Sequence, residues 1–387
     1  MTPHAGTTFG TRVPPQAVRA VCLLTGRASL ERLHCFPSFP VYIGCTDADP
    51  ETDRRADMVF DICRETGFIQ LAELMPLNLV YGAYHSEALG PLWQRHHKAF
   101  SRFVADFRPR EVLEIGGSNA VVAGGVLELL PDCRWIIVEP SPSVPSDGRL
   151  RLRRGYFDAS FSADAPLDAI VHSHVLEHLY DPVAAIHRMH SLLPEHGRLI
   201  FSVPDMRGWL ERKLPNTLNF EHTVFLVDAY IERLLAQAGF SILERVPFED
   251  HSLFYAAERT EPKPAVRFDN LYEEHAALFT NFLQHYRESA RELNQRIENF
   301  PGAVYLFGAH IFSQMYLEMG LRADRIAAIL DNSIIKQGKR LYGSALHVAS
   351  PMMLAGIRRP AVIVRAGAYT GEIVEQIRAI QPGAEIW

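Results

Sequence analysis

The chain of 387 residues contains no apolar run near the twenty residues that a membrane-spanning helix needs. Its first residues lack both the basic segment and the apolar core of a secretory signal, which leads to the expectation of a cytoplasmic protein. Cysteine is scarce. The five residues (22, 35, 45, 63 and 133) are odd in number and crowd towards the N-terminus, so reduced thiols are expected rather than a disulfide framework. Positive charge is not in excess. A net charge of −6 with no basic tail removes the electrostatic case for nucleic acid. A complete G-x-G-x-x-G is also absent: the C-terminal candidate reads Gly308-Ala-His-Ile-Phe-Ser313.

What remains is ordinary for a soluble globular protein, with 48% hydrophobic and 22% charged residues, and the length suggests two or three domains. Residues 1–17 are polar with scattered Pro and Gly and read as a mobile tail. Residues 18–90 read as loop-rich, a segment that would need a metal or a larger partner domain to be stable. Over 91–108, Trp93, His96, Phe100, Phe103 and Val104 fall near one face of a helix. Strands then alternate with helices: 111–115, 134–138, 167–171, 198–203, 241–246 and 252–256 as strands, with helices at 121–130, 182–193 and 227–238. This alternation predicts a mostly parallel sheet covered on both faces. The last two strands follow without a helix and predict a hairpin. A linking helix over 269–299 leads into a second α/β unit, with strands at 303–307, 326–330, 361–365 and 385–386 and helices at 310–319 and 370–380.

The most informative stretch is Glu114-Ile-Gly116-Gly117-Ser-Asn119, where an acidic strand end runs into a glycine turn and a helix. Glycine allows close backbone approach, and the helix N-terminus offers unpaired N–H groups. Glu139 ends the second strand, about twenty residues on, where an acid can accept two hydrogen bonds from a ribose diol. Together they point to a nucleoside-bearing cofactor. The third strand runs into His172-Ser-His174-Val-Leu-Glu177-His178-Leu-Tyr-Asp181-Pro182. His174 to His178 matches H-x-x-E-H, a zinc-protease signature. That signature needs a long helix, whereas here a strand ends just before it and Asp181-Pro182 starts a new helix. The segment is read instead as a cofactor and substrate rim, with His174 on the cofactor side and His178 a catalytic candidate. Ligands bind outside the carboxyl ends of parallel strands.

Val112–Asn119, Val138-Glu139-Pro140, Asp168–Asp181 and Leu192–Pro204 resemble successive motifs of class I S-adenosylmethionine-dependent methyltransferases. The resemblance implies a Rossmann-like α/β domain over 91–262. There Glu114, Gly116 and Gly117 line the methionine side, Glu139 holds the ribose and Asp158 lies near the adenine. Asn119-Ala120 stands where Asp-Gly is usual. Nearly all of the chain after residue 18 resembles a narrower group, the deoxysugar C-methyltransferases acting on nucleotide-linked keto sugars. That implies an N-terminal zinc-binding-like domain (18–90), a linking helix (263–300) and a C-terminal Rossmann-like domain (301–387), the last carried by "LDNSIIKQGKRLYG".

Two departures bear on chemistry. The paired C-x-x-C of that group reads Cys22-Leu-Leu-Thr25 and Cys63-Arg-Glu-Thr66, and threonine is a poor zinc ligand, so no metal is expected. Cys35, Cys45 and His34 are the possible substitutes. The Tyr-His-Glu-His run reads Asn219-Phe-Glu221-His222. His222 is then the candidate base for forming an enolate at a 4-keto sugar, with Glu221 orienting or polarising the site. Tyr84 stands at a substrate-lining position. The partner expected is a small molecule, a nucleotide-linked sugar. The alternatives are an O-methyltransferase acting on a sugar or other metabolite, an NAD-dependent sugar oxidoreductase using Gly308-Ala309 and Asp331, and a non-catalytic nucleotide-sugar-binding protein.

Overall fold

The computed structural model describes residues 10–81, 90–117, 119–142, 146, 148–158, 160–163, 165–263 and 269–387. The N-terminal part is built on strands, against the loop-rich expectation. Strands β1 (Leu30–Pro40), β2 (Arg54–Cys63) and β3 (Ile69–Leu71) form an antiparallel sheet with β2 in the middle. Strand β2 is buried almost throughout because both its faces are covered. The tail expected over 1–17 is also not free over 10–17. Thr11–Arg12 pairs beside Arg54–Arg55, and Ala17–Val18 pairs with Glu73–Leu74. Paired backbone, rather than apolar side chains, holds that segment, so composition alone does not reveal it.

The next helix, α1 (Pro91–Asp106), buries His96, Phe100, Phe103 and Val104. It precedes strand β4 (Glu111–Ile115), helix α2 (Val121–Leu129), strands β5 (Arg134–Glu139), β6 (Leu150–Arg154) and β7 (Ala169–Ser173), helix α3 (Pro182–Leu192), strand β8 (Arg198–Pro204), helix α4 (Asp228–Ala238) and strands β9 (Phe240–Phe248) and β10 (Ser252–Arg259). The sheet order is β6-β5-β4-β7-β8-β10-β9. All pairs are parallel except β8 with β10 and β10 with β9, so the expected hairpin does insert an antiparallel strand. The order in which successive strands are added reverses between the parallel neighbours β4 and β7, and a switch point of this kind puts a ligand crevice at their carboxyl ends. Helix α3 starts where Asp181 accepts the N–H of Ala184 at 2.8 Å, with Pro182 first in the helix. Gly239, at φ 90°, closes α4 in a left-handed turn that glycine adopts without steric cost.

A 28-residue helix, α5 (Tyr272–Asn299), carries a buried stripe of His275, Phe279, Phe282, Leu283, Tyr286, Ala290, Leu293 and Ile297. The stripe shares one core with Phe36 and Phe60 from the N-terminal sheet and with Leu306 and Ile329 from the C-terminal one. The C-terminal unit has strands β11 (Val304–Phe307), β12 (Ile326–Leu330), β13 (Val348–Ala349), β14 (Ala361–Val364) and β15 (Glu385–Ile386), all parallel in the order β13-β12-β11-β14-β15. Helices α6 (Ile311–Glu318) and α7 (Thr370–Ile380) connect them. Arg340 reaches the N-terminal part, donating to both carboxylate oxygens of Asp53 at 2.7 and 2.8 Å with both side chains under 5% exposed. This pair, and the pairing of Arg340–Leu341 with Cys45–Thr46, tie the N-terminal strands to the C-terminal unit.

Among the described residues no helix is long and apolar enough to cross a membrane.

Candidate active site

The cofactor half is built by the turn after β4. Gly116 has φ 76°, and a Cβ there would lie 2.7 Å from Val175. A Cβ on Gly117 would lie 2.6–2.8 Å from the Glu114 carboxyl group. The turn is therefore shaped around absent side chains, as a cradle for a ligand must be. Ala120 enters α2 in a left-handed conformation (φ 53°) with no side-chain cap, and Ala120, Val121 and Val122 line the crevice. The Glu114 carboxylate is buried and accepts the Trp135 indole N–H at 2.7 Å. Burial pushes its pKa up to about 7, against the pull of that hydrogen bond.

Glu139 at the end of β5 accepts the Ser141 N–H at 3.0 Å. Asp158 accepts the N–H and hydroxyl of Ser160, at 2.8 and 2.6 Å, and these bonds hold its carboxyl below the usual range. Glu114, Gly116, Gly117, Asn119, Glu139, Asp158 and His174 all line one crevice. The structure thus brings together every residue that the sequence put on the cofactor side.

The acceptor half lies across the same crevice. The H-x-x-E-H stretch is not in a long helix: β7 ends at Ser173, His174 has φ 52°, and a single tight turn spans Leu176–His178. His178 Nδ1 lies 3.0 Å from the Tyr81 hydroxyl and 3.7 Å from Glu221 Oε2. His222 is edge-on to His178 with ring centroids 5.0 Å apart. Asn219 organises this corner. Its Oδ1 accepts the N–H groups of Glu221 at 2.8 Å and His222 at 2.9 Å, while its Nδ2 donates to the Asn216 carbonyl. Burial pushes the His222 pKa down, and Glu177, Glu221 and the Thr217 and Asn216 carbonyls push it back up. A neutral imidazole in this setting can take a proton.

Tyr84 lies outside the described residues. Sequence reasoning did not single out Tyr81, Trp93, Trp209, Glu177 or His251. Trp93 and Trp209 both pack against His251, and Glu177 is fully buried with no hydrogen-bond partner for either oxygen among the described residues. Burial pushes the Glu177 carboxyl up to about 7. The local signal for Glu177 was its place as the acid of the H-x-x-E-H match.

The four positions matching paired C-x-x-C do converge. The thiols of Cys22 and Cys63 hydrogen-bond each other, with Thr25 and Thr66 beside them. Each forms a tight turn, with Gly26 N–H on the Cys22 carbonyl and Gly67 N–H on the Cys63 carbonyl, both at 2.7 Å. His34 instead packs on Phe36, Cys35 faces Val59 across the sheet, and Cys45 lies by Ala309. Two thiols and two threonine hydroxyls do not fit the closed set of thiolate and imidazole ligands that structural zinc takes. In the C-terminal unit Asp331 accepts the Ala309 N–H at 2.8 Å, the Ser333 N–H at 2.8 Å and the Lys336 ammonium at 3.2 Å. Its carboxylate braces the Gly308-Ala309 turn, which argues against a ribose ligand there.

Residues 87–245 match the family described as "Methyltransferase domain". The chain carries a methyltransferase domain. S-adenosylmethionine is the cofactor of that domain. No curated protein matches the chain. Solved structures similar to part of it include an O-methyltransferase family protein from Burkholderia thailandensis (16% identity, 44% of this chain and 57% of that one, TM-score 0.37). The riboflavin-derivative dimethyltransferase RosA from Streptomyces davawensis is similar at 22% identity (43% and 56%, TM-score 0.35). The N-methyltransferase NodS from Bradyrhizobium japonicum WM9, with S-adenosyl-L-homocysteine, is similar at 18% identity (45% and 90%, TM-score 0.34). The matched region thus spans little more than half the length of the first two.

Proposed function

We propose that the protein transfers a methyl group from S-adenosylmethionine to a nucleotide-linked keto-deoxy sugar, with His222 as the base. The observation that supports this reading is the buried His222, fixed by Asn219 and edge-on to His178 in the crevice that the glycine turn also lines. The bound cofactor supplies an electrophilic methyl group on a sulfonium. The chain's own part is positioning and proton handling. His222, held neutral by burial, takes the proton from the carbon next to the sugar ketone. The electron pair left behind would give an enolate, the carbon nucleophile for the methyl group that the bound cofactor would supply. His178, with Tyr81 on its Nδ1, stands where it can donate to the enolate oxygen. Glu221 sits 3.7 Å from His178 Nδ1 and can orient that ring. Lys336 and Arg365 line the C-terminal side of the crevice and supply positive charge for a diphosphate.

The test is incubation of the full chain with labelled S-adenosylmethionine and a panel of nucleotide-linked sugars, followed by NMR of the product. A new carbon–methyl bond beside a ketone supports the proposal. A methyl ether would replace it with O-methyl transfer, and no labelled product from any keto sugar would remove the substrate class.

A further inference from the structure

Three imidazoles converge beside the acceptor half from elements far apart in sequence. His96 projects from α1, His174 follows β7, and His251 lies in the turn between β9 and β10. One ring nitrogen from each falls within a group whose atoms are all within 4.8 Å of one another. We propose that His96, His174 and His251 form a site for a divalent transition-metal ion of the zinc type.

Geometry comes first. The ring centroids are 5.2 Å apart for His96–His174, 5.4 Å for His174–His251 and 5.5 Å for His96–His251. Three imidazoles bound tetrahedrally at 2.0–2.1 Å would place their centroids about 5 Å apart, so small shifts suffice. The second observation is His96 itself. It is fully buried, yet neither ring nitrogen has a hydrogen-bond partner among the described residues. A neutral imidazole carries one donor and one acceptor, and buried polar atoms normally find partners. The ring is enclosed by Phe100, Phe248 and Phe254, which offer none.

The same ion accounts for a second orphan. His174 Nε2 shares the Ser252 hydroxyl with His251 Nδ1, lying 2.9 Å from it, and its own Nδ1 lies 3.4 Å from Glu177 Oε1. With Nε2 on a metal, Nδ1–H would turn to Glu177, giving the carboxylate–histidine–metal relay that orients metal-bound histidines. Glu177 would then gain the partner it lacks. The Ser252 hydroxyl also touches His251 Nδ1 at 2.5 Å, but it does not serve His96. The backbone of His174 is held at φ 52°, a costly conformation for histidine, and its N–H is fixed on the Ser202 carbonyl at 2.9 Å. Three imidazoles leave a fourth position open. His174, His251 and Trp93 line the crevice, so that position faces the acceptor, where an oxygen ligand of the substrate fits.

The experiment uses the full chain, stripped with a chelator, loaded with zinc or cobalt(II), and dialysed. Metal content is measured by mass spectrometry, and S-adenosylmethionine binding by calorimetry reports folding. A single retained equivalent is expected in wild type and in the double variant Cys22→Ser/Cys63→Ser. It is expected to be lost in His251→Ala and in His96→Phe, which keeps an aromatic ring among the phenylalanines. The cobalt form should show tetrahedral nitrogen-ligand absorption without a thiolate charge-transfer band. Wild type that binds the cofactor and retains no metal would overturn the proposal. So would metal that survives both histidine changes, or that leaves with the cysteines. Should a histidine variant lose cofactor binding, the wild-type cobalt spectrum decides. None of these readouts depends on methyl transfer, so the metal site and the proposed reaction can fail separately.

Discussion

Glu114 makes the cofactor half sensitive to pH in a calculable way. Its carboxyl lies under the glycine cradle, where burial pushes its pKa up to about 7 from an ordinary 4.5. The apo protein therefore holds this acid largely protonated below pH 7. S-adenosylmethionine brings a sulfonium and an ammonium, and an adjacent positive charge favours the carboxylate. Binding then releases the proton. If the cationic ligand returns the acid to its ordinary range, affinity rises about tenfold per pH unit below 7 and levels above it. Between pH 5.5 and 7.5 the gain is about 25-fold, or roughly 2 kcal/mol. Glu114→Gln keeps an oxygen for the Trp135 N–H but has no proton to release. Glu177 is pushed up to about 7 as well, so the informative quantity is the difference between wild type and variant. Calorimetry at several pH values, in buffers of different ionisation enthalpy, reads both affinity and proton release. A wild type whose affinity tracks that of Glu114→Gln across this range would refute the reasoning.

Four further outcomes are expected. His222→Ala should keep cofactor affinity and lower turnover by about 10²–10⁴-fold, the range for a lost general base, in a single-turnover assay with an accepted keto sugar. Gly117→Ala would drive a methyl group into the Glu114 carboxyl group, so cofactor affinity should fall, by calorimetry, while the circular dichroism of the fold is kept. Asn219→Ala removes the acceptor for two N–H groups. It should cost about 1 kcal/mol or more per bond in urea unfolding and lower turnover with little change in cofactor affinity. Arg340→Ala leaves Asp53 buried without its counter-charge, and a loss of about 3–5 kcal/mol in unfolding free energy is expected.

The middle sheet was legible because its signals are local. Apolar strands, Asp181-Pro182 at a helix start and Gly239 at a helix end each act within a few residues, and the elements lie where these residues put them. Strand β6 escaped notice because Leu150-Arg-Leu-Arg-Arg154 is an edge strand with no buried residue: Arg151 and Arg154 are exposed, and Leu150, Leu152 and Arg153 are only partly covered. The N-terminal strands were hidden for a related reason, since pairing rather than composition orders residues 11–18.

The acceptor half was only partly legible, because it is assembled from segments that no spacing rule connects. Tyr81 meets His178 across 97 residues, and Ser252 meets His174 across 78. Asn219 is instructive. As a residue in a family pattern it counted as a lost tyrosine. As a side chain it is an acceptor placed two and three residues before the N–H groups it binds, a local turn that asparagine favours. The substitution that made the substrate harder to name is therefore also what fixes His222, and the identity of the acceptor must be read from the space that Asn219 leaves beside His178 and Trp209, not from the residues it replaced.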